Sequence, residues 1–147
     1  ISSVLIGNMP GTIGEISATL LIFGGLWLLL RRVITWHIPV TYLATVAILS
    51  WLCPAGFYSA IECMLYQLFS GGLMIGAFFM ATDYVTSPQT SKGRFIFGIG
   101  LAALTVLIRI YGSYPEGVSF AILLMNILVP YIDKATPRKL FGGVKNV

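Results

Sequence analysis

Asp83 directly follows the apolar run Phe78, Phe79, Met80, Ala81, at the C-terminal end of a hydrophobic stretch where a carboxylate opposes the helix dipole. No capping rule asks for an acid there. Two roles stay open: the start of an Asx-type turn into Tyr84 to Pro88, or a cation-attracting group at the cytoplasmic mouth of an ion pathway. Arg109 lies in the last turn of another apolar stretch, where a cation meets the negative helix end and Glu116 stands across a short turn. Its alternative role is to face an anionic group such as a cofactor phosphate. The third candidate set is Gly7, Asn8, Gly11, Thr12 and Glu15, within the string GNMPGTIGE. A glycine-rich turn that leads into a helix N-terminus can approach a phosphate closely, although glycine spacing alone is a weak signal.

Plainer roles compete for several of these groups. Thr12 with Glu15, and Ser59 with Glu62, have the S/T-x-x-E capping-box spacing, and Glu116 suits the positive end of a helix dipole. His37 beside Trp36 suits an interfacial anchor. Thr105, Ser119 and Asn126 inside apolar stretches suit interhelical hydrogen bonds first and ligand contacts second, and Gly72 with Gly76 has the close-packing GxxxG spacing. Cys53 and Cys63 are the two cysteines and His37 the one histidine, which leaves no metal-ligand spacing and no Ser/His/Asp set for hydrolysis.

The elements that position these groups follow from composition. The chain is 57% hydrophobic and 10% charged, far below the roughly 25% charge of soluble domains. Its apolar blocks run about 18 to 25 residues, enough to cross a hydrocarbon core about 30 Å thick. The spacing predicts an all-α, polytopic membrane bundle of about five helices in a single membrane domain, 1–147. The expected spans run Ile13 to Leu30, Trp36 to Cys53, Ser59 to Thr82, Phe95 to Tyr111, and Pro115 to Ile132. The third is either one tilted helix or two half-helices broken near Ser70 to Gly72. With five alternating spans, Arg31, Arg32, Lys92, Arg94, Lys134, Arg138, Lys139 and Lys145 share one side and only Arg109 falls on the other. The positive-inside rule then places the N-terminus and the turn 1–12 outside, and the basic tail 134–147 in the cytoplasm. The net charge of +4 is spent on this asymmetry and forms no patch for nucleic acid.

The strings GNMPGTIGE (Gly7 to Glu15), GAFFMATDYVTSP (Gly76 to Pro88) and YPEGVSFAILLMN (Tyr114 to Asn126), in that order and spacing, resemble the membrane subunit shared by Rnf complexes, where it is RnfD, and sodium-pumping NADH:quinone reductases, where it is NqrB. The resemblance covers essentially the whole chain and corresponds to the C-terminal half of that subunit. The ending DKATPRKLFGG is closer to the Rnf branch. The resemblance implies a subunit of a redox-driven translocase in a bacterial or archaeal cytoplasmic membrane, with other Rnf subunits and the lipid bilayer as partners. Electrons would pass between ferredoxin and NAD while Na+ or H+ crosses, and this subunit would relay electrons rather than turn over alone. It further implies flavin: FMN esterified to a threonine shortly before the GNxPG stretch, thus upstream of Ile1, and riboflavin as a second candidate. Thr86, in the Asp83 to Ser87 string, lacks the glycine of the attachment motif and is not read as that threonine. Two other classes compete: half of a channel or secondary transporter, and a scaffold subunit that holds neither ion nor cofactor.

Overall fold

The computed structural model describes residues 18–52, 59–69, 72–112 and 117–137. Gly7, Asn8, Gly11, Thr12, Glu15 and Glu116, and the tail after Pro137, lie outside them. The described residues form helices α1 (Ala18–Leu30), α2 (His37–Leu52), α3 (Ala60–Phe69), α4 (Leu73–Ile75), α5 (Ser91–Tyr111) and α6 (Gly117–Ala135), with a π-helical turn, Gly76–Met80, continuing α4. No strand occurs among them. This is the helical membrane bundle that the composition predicts. Two helices, α5 and α6, are long and apolar enough to cross a bilayer, α3 and α4 with its π turn form a bent pair, either a broken third span or a re-entrant loop, and α1 and α2 are shorter apolar helices.

The core is the seam between α2 and α5. Ile38, Tyr42 and Val46 recur every fourth residue on α2, and Phe97, Leu101 and Thr105 do the same on α5; both stripes are buried. A Cβ on Gly98 would overlap the Thr41 side chain, so the glycine sets how closely the two helices approach. Lipid tails are as apolar as leucine, so such a seam is held by close packing and hydrogen bonds more than by exclusion from water. One buried polar pair lies within it. The Thr105 hydroxyl donates to the Leu101 carbonyl at 2.8 Å, so at 2.9 Å from it the Tyr42 hydroxyl is the donor and Thr105 Oγ1 the acceptor.

Helix α6 packs antiparallel on the other side of α5. Gly117 lies against Ile108, Gly100 against Met125, and the Thr90 and Thr136 hydroxyls meet at 2.8 Å at the opposite end. These contacts give the bundle a depth scale, from a Tyr111 end to a Ser91 end. Helix α1 closes in a Schellman arrangement: the Val33 N–H reaches the Leu28 carbonyl and the Arg32 N–H the Leu29 carbonyl, both at 3.0 Å, with Arg32 at φ 54°.

The expected boundaries shift where capping outweighs hydropathy. Helix α5 starts at Ser91 rather than Phe95, because Thr90 accepts a hydrogen bond from the Gly93 N–H at 3.0 Å and so caps a turn that carries Lys92 and Arg94. Helix α6 runs through Pro130 to Ala135 rather than stopping at Ile132, which places Lys134 in its last turn. The third apolar block is bent, with α3 and the α4 segment inclined at 62°; Ser70 and Gly71, where the break is expected, lie outside the described residues.

Two substitutions probe the packing. Gly76→Val would drive a branched side chain into Val118, which already lies within overlap distance of a Cβ at Gly76, and is expected to cost about 1–3 kcal/mol. Tyr42→Phe removes one buried donor and is expected to cost about 1 kcal/mol. Thermal unfolding of the purified complex in detergent measures both, and a Gly76→Val variant that melts like the parent would contradict the close approach.

Candidate functional site

Glycine and the π turn shape the third span. Gly72 holds φ 64°, a left-handed conformation that places no Cβ in conflict, immediately before α4. The Gly76 N–H then bonds to the Gly72 carbonyl and the Ala81 N–H to the Gly76 carbonyl, both at 2.8 Å, the second being the wider loop of a π turn. This turn aims Phe78 at α1, where a Cβ on Gly25 would stand 2.5 Å from the ring, and sets Gly76 against Val118 of α6. Gly76 therefore lies at the level of the first residues of α6. From Gly76 the helix runs only four more residues, to Met80, about 6 Å at 1.5 Å per residue. The segment from Ala81 to Thr90 covers the remaining distance without helix.

Backbone that is not helical survives at membrane depth only when its polar groups find partners or line a cavity. Both conditions are met. Thr82 donates to the Phe78 carbonyl at 2.7 Å, the Ser87 N–H reaches the Asp83 carbonyl at 3.1 Å, and Arg94 Nε donates to the Pro88 carbonyl at 3.0 Å. The Gln89 N–H reaches Asp133 Oδ1 at 3.2 Å, and the Tyr84 hydroxyl donates to the Val33 carbonyl.

The cavity is an open cleft of about 450 Å³ between this segment and α6, lined by Phe79, Met80, Asp83 and Thr86 on one side and Ser119, Ile122, Leu123 and Asn126 on the other. The α6 residues fall at i, i+3, i+4 and i+7, one helix face. Asn126 is the midpoint of α6, nine residues from each end. Asp83 lines this cleft across from the half of α6 that runs from Ser119 to its midpoint, while the next residue, Tyr84, reaches the turn between α1 and α2. Its oxygens make only long local bonds, Oδ1 to the Val85 N–H at 3.5 Å and Oδ2 to the Thr86 hydroxyl at 3.4 Å. These are the Asx-turn contacts, and their length leaves most of the carboxylate's accepting capacity toward the cleft. Asn126 Oδ1 is buried and accepts no hydrogen bond from the protein. The cleft thus gathers one carboxylate, two hydroxyls and one amide oxygen.

Arg109 lies elsewhere, at the Tyr111 end. Its Nη1 donates to the Gln67 carbonyl at 2.7 Å and to Gln67 Oε1 at 2.9 Å. Gln67 is in the last turn of α3, whose final carbonyls have no intrahelical partner where the helix breaks. The guanidinium therefore caps the negative end of a half-helix. This pairing brings the end of α3 to the level of Arg109, so the break sits near one face of the bundle. Gln67 carried no signal beyond being a polar residue three positions before Ser70. His37 stacks against Trp36, with ring centroids 4.3 Å apart, and meets Phe95 edge-on at 5.2 Å, an aromatic cluster of the kind found at membrane boundaries. Among the described residues no group of His, Cys, Asp and Glu is placed to hold a metal ion.

Comparison with known proteins adds to this geometry. The profile of the NQR2, RnfD, RnfE family matches residues 1–142. The chain is 47% identical over 140 residues to the D subunit of the Na(+)-translocating ferredoxin:NAD(+) oxidoreductase complex of Acetobacterium woodii, covering 95% of this chain and 42% of the relative. It is 48% identical over 142 residues to the D subunit of the proton-translocating ferredoxin:NAD(+) oxidoreductase complex of Clostridium ljungdahlii, with the same 95% and 42% coverage. The D subunit of the ion-translocating oxidoreductase complex of Stutzerimonas stutzeri is 47% identical over 137 residues, 93% of this chain and 39% of the relative. The chain spans about two fifths of the length of these curated relatives.

Removing the cap at the break is the direct test of the Arg109 pairing. Arg109→Met leaves α3 carbonyls without a charged donor and is expected to cost about 1.5–3 kcal/mol, with part of the loss recovered in Arg109→Lys. Hydrogen exchange of 60–69 in the purified complex should rise in the Met variant; unchanged exchange there would show that the guanidinium does not hold α3.

Proposed function

The chain belongs to the NQR2, RnfD, RnfE family, and from that premise we propose that it acts as part of the RnfD subunit of an ion-translocating ferredoxin:NAD oxidoreductase, with Asp83 on the route of the ion. The observation that carries the ion role is the cleft: a carboxylate that lines it together with a spanning helix, whose Asn126 has a buried amide oxygen that no protein donor satisfies. An ionisable group at such depth is costly unless it is paired or solvated, and by default it marks a path for ions or protons. The donor set has a single carboxylate and otherwise neutral oxygens. That suits a monovalent cation or a proton, whereas Ca2+ or Mg2+ sites gather more carboxylate or water ligands. Two of the relatives described above match this chain about equally, one named for sodium and one for protons, so identity does not choose between the ions.

Flavin is the redox group that family membership suggests, and it would supply the electron-transfer chemistry when bound. We place its phosphate near Gly7, Asn8, Gly11, Thr12 and Glu15, with FMN attached upstream of Ile1 and Arg109 as the further candidate contact. Of these only Arg109 is among the described residues, and its Nη1 is engaged by Gln67. The described residues therefore do not make a phosphate cradle by themselves, and no electron-transfer step is drawn through them. What they do is hold the break, keep the cleft open and present oxygen ligands.

The proposed location is the cytoplasmic membrane, N-terminus outside and C-terminus inside, with the other Rnf subunits around it. Bent half-helices also occur in secondary transporters, which keeps that class as the second reading. One experiment separates them. In the intact complex reconstituted in vesicles, Asp83→Asn is expected to reduce ferredoxin-driven ion uptake at least about tenfold, the scale of losing one charged ligand. Flavin absorbance should stay at the parental level. Unaltered uptake would remove Asp83 from the route, and a parental complex without flavin would favour a transporter.

A further inference from the structure

At the Ser91 end, opposite the Arg109 cap, lies a second cavity of about 560 Å³ between α5 and α6, lined among others by Ser91, Lys92, Arg94, Thr136 and Pro137. It plays no part in the cleft at Asp83. Its lining carries two cations and no acid. The nearest carboxylate in the sequence of α6, Asp133, is turned to the Gln89 N–H at 3.2 Å. The threonine hydroxyls are already committed: Thr136 donates to the Ile132 carbonyl, so Thr90 donates to Thr136. Arg94 is fixed by its Nε bond to the Pro88 carbonyl, which restrains the guanidinium at the rim. Donors that the lining offers a ligand include the Ser91 hydroxyl, the Lys92 ammonium and the rest of the Arg94 fork, a set suited to a phosphate oxygen.

The surroundings say where that phosphate comes from. Lys92 heads an exposed stripe on α5 that continues through Phe95, Ile96, Ile99 and Leu107. On α6 Lys134 heads a matching stripe through Tyr131, Ile127, Leu124 and Phe120. Each stripe recurs at helical spacing and is apolar along the length that acyl chains cover, with a cation at the headgroup level. Trp36 and Phe95, rings 6.4 Å apart, mark that level, Phe95 being the residue after Arg94.

We infer that this cavity binds the phosphate headgroup of an anionic phospholipid, whose acyl chains lie along the exposed apolar stripes of α5 and α6. A soluble phosphate would use the same donors without needing the stripes. The site fixes a lipid where α6 and the 81–90 segment meet, through the Gln89 contact to Asp133, and so braces the segment that carries Asp83.

Photoactivatable phosphatidylglycerol and phosphatidylcholine, incorporated separately into nanodiscs holding the intact complex, test this. Labelling of the peptide 89–137 is expected to favour phosphatidylglycerol. Lys92→Gln should lower that labelling about fivefold, the factor for one cation near an anionic surface, and Lys92→Glu should lower it further, both without loss of assembled complex. Phosphatidylcholine labelling should not change, and millimolar inorganic phosphate should not compete. Equal labelling by the two lipids, labelling unaffected by either Lys92 substitution, or displacement by inorganic phosphate would overturn the assignment.

Discussion

Every backbone N–H and carbonyl at hydrocarbon depth must find a partner within the protein, and the third span of this chain is built around that constraint. A continuous helix satisfies it trivially. Here α3 stops at Phe69 and the chain resumes at an angle of 62°, which leaves carbonyls at the end of α3 and a stretch of irregular backbone after Met80. Arg109 answers the first problem by donating to the Gln67 carbonyl and side chain. Side chains and turn bonds from Asp83, Arg94, Tyr84 and Asp133 answer the second. The cation at the break and the acid in the cleft thus belong to one structural solution, though they stand at different depths.

That solution requires a rigid frame. Helices α2, α5 and α6 supply it through small residues at their crossings and through the Tyr42 to Thr105 hydrogen bond buried in the seam. Because α5 and α6 are long, the short α4 and its π turn can hang between α1 and α6 without spanning the bundle. The cleft is the space the missing helical turns would have filled. Its polar lining comes from a spanning helix and from an irregular segment held by side-chain and turn hydrogen bonds.

Much of this was legible from residue order. The apolar blocks, the break near Ser70 to Gly72 and the oddity of an acid after Phe78 to Ala81 follow from hydropathy, glycine placement and dipole rules, and the family from the resemblance of strings such as GAFFMATDYVTSP to its members. The cleft at Asp83 did not follow. Hydropathy treats Ser59 to Thr82 as one length of membrane and cannot tell that α3 ends near one face, because that depends on the long-range pairing of Arg109 with Gln67, 42 positions apart. For the same reason the Thr90 to Thr136 bond and the early start of α5 were invisible: Thr90 caps through Gly93, which lacks the Glu of a capping box. Asn126 and Ser119 read only as polar residues in a span until α6 turned one face to Asp83. The turn from Gly7 to Glu15, on which the flavin proposal rests, lies outside the described residues.

The central claim is that Asp83 and its neighbours face the middle of α6. Cysteine cross-linking in the assembled complex tests it most directly, with Cys53 and Cys63 replaced by Ala and Thr86→Cys paired in turn with Asn126→Cys and with Ile132→Cys. With a short bifunctional reagent the pair at 86 and 126 is expected to cross-link. Cross-linking of 86 to 132 with none to 126 would place the Asp83 segment at the membrane boundary and contradict the account.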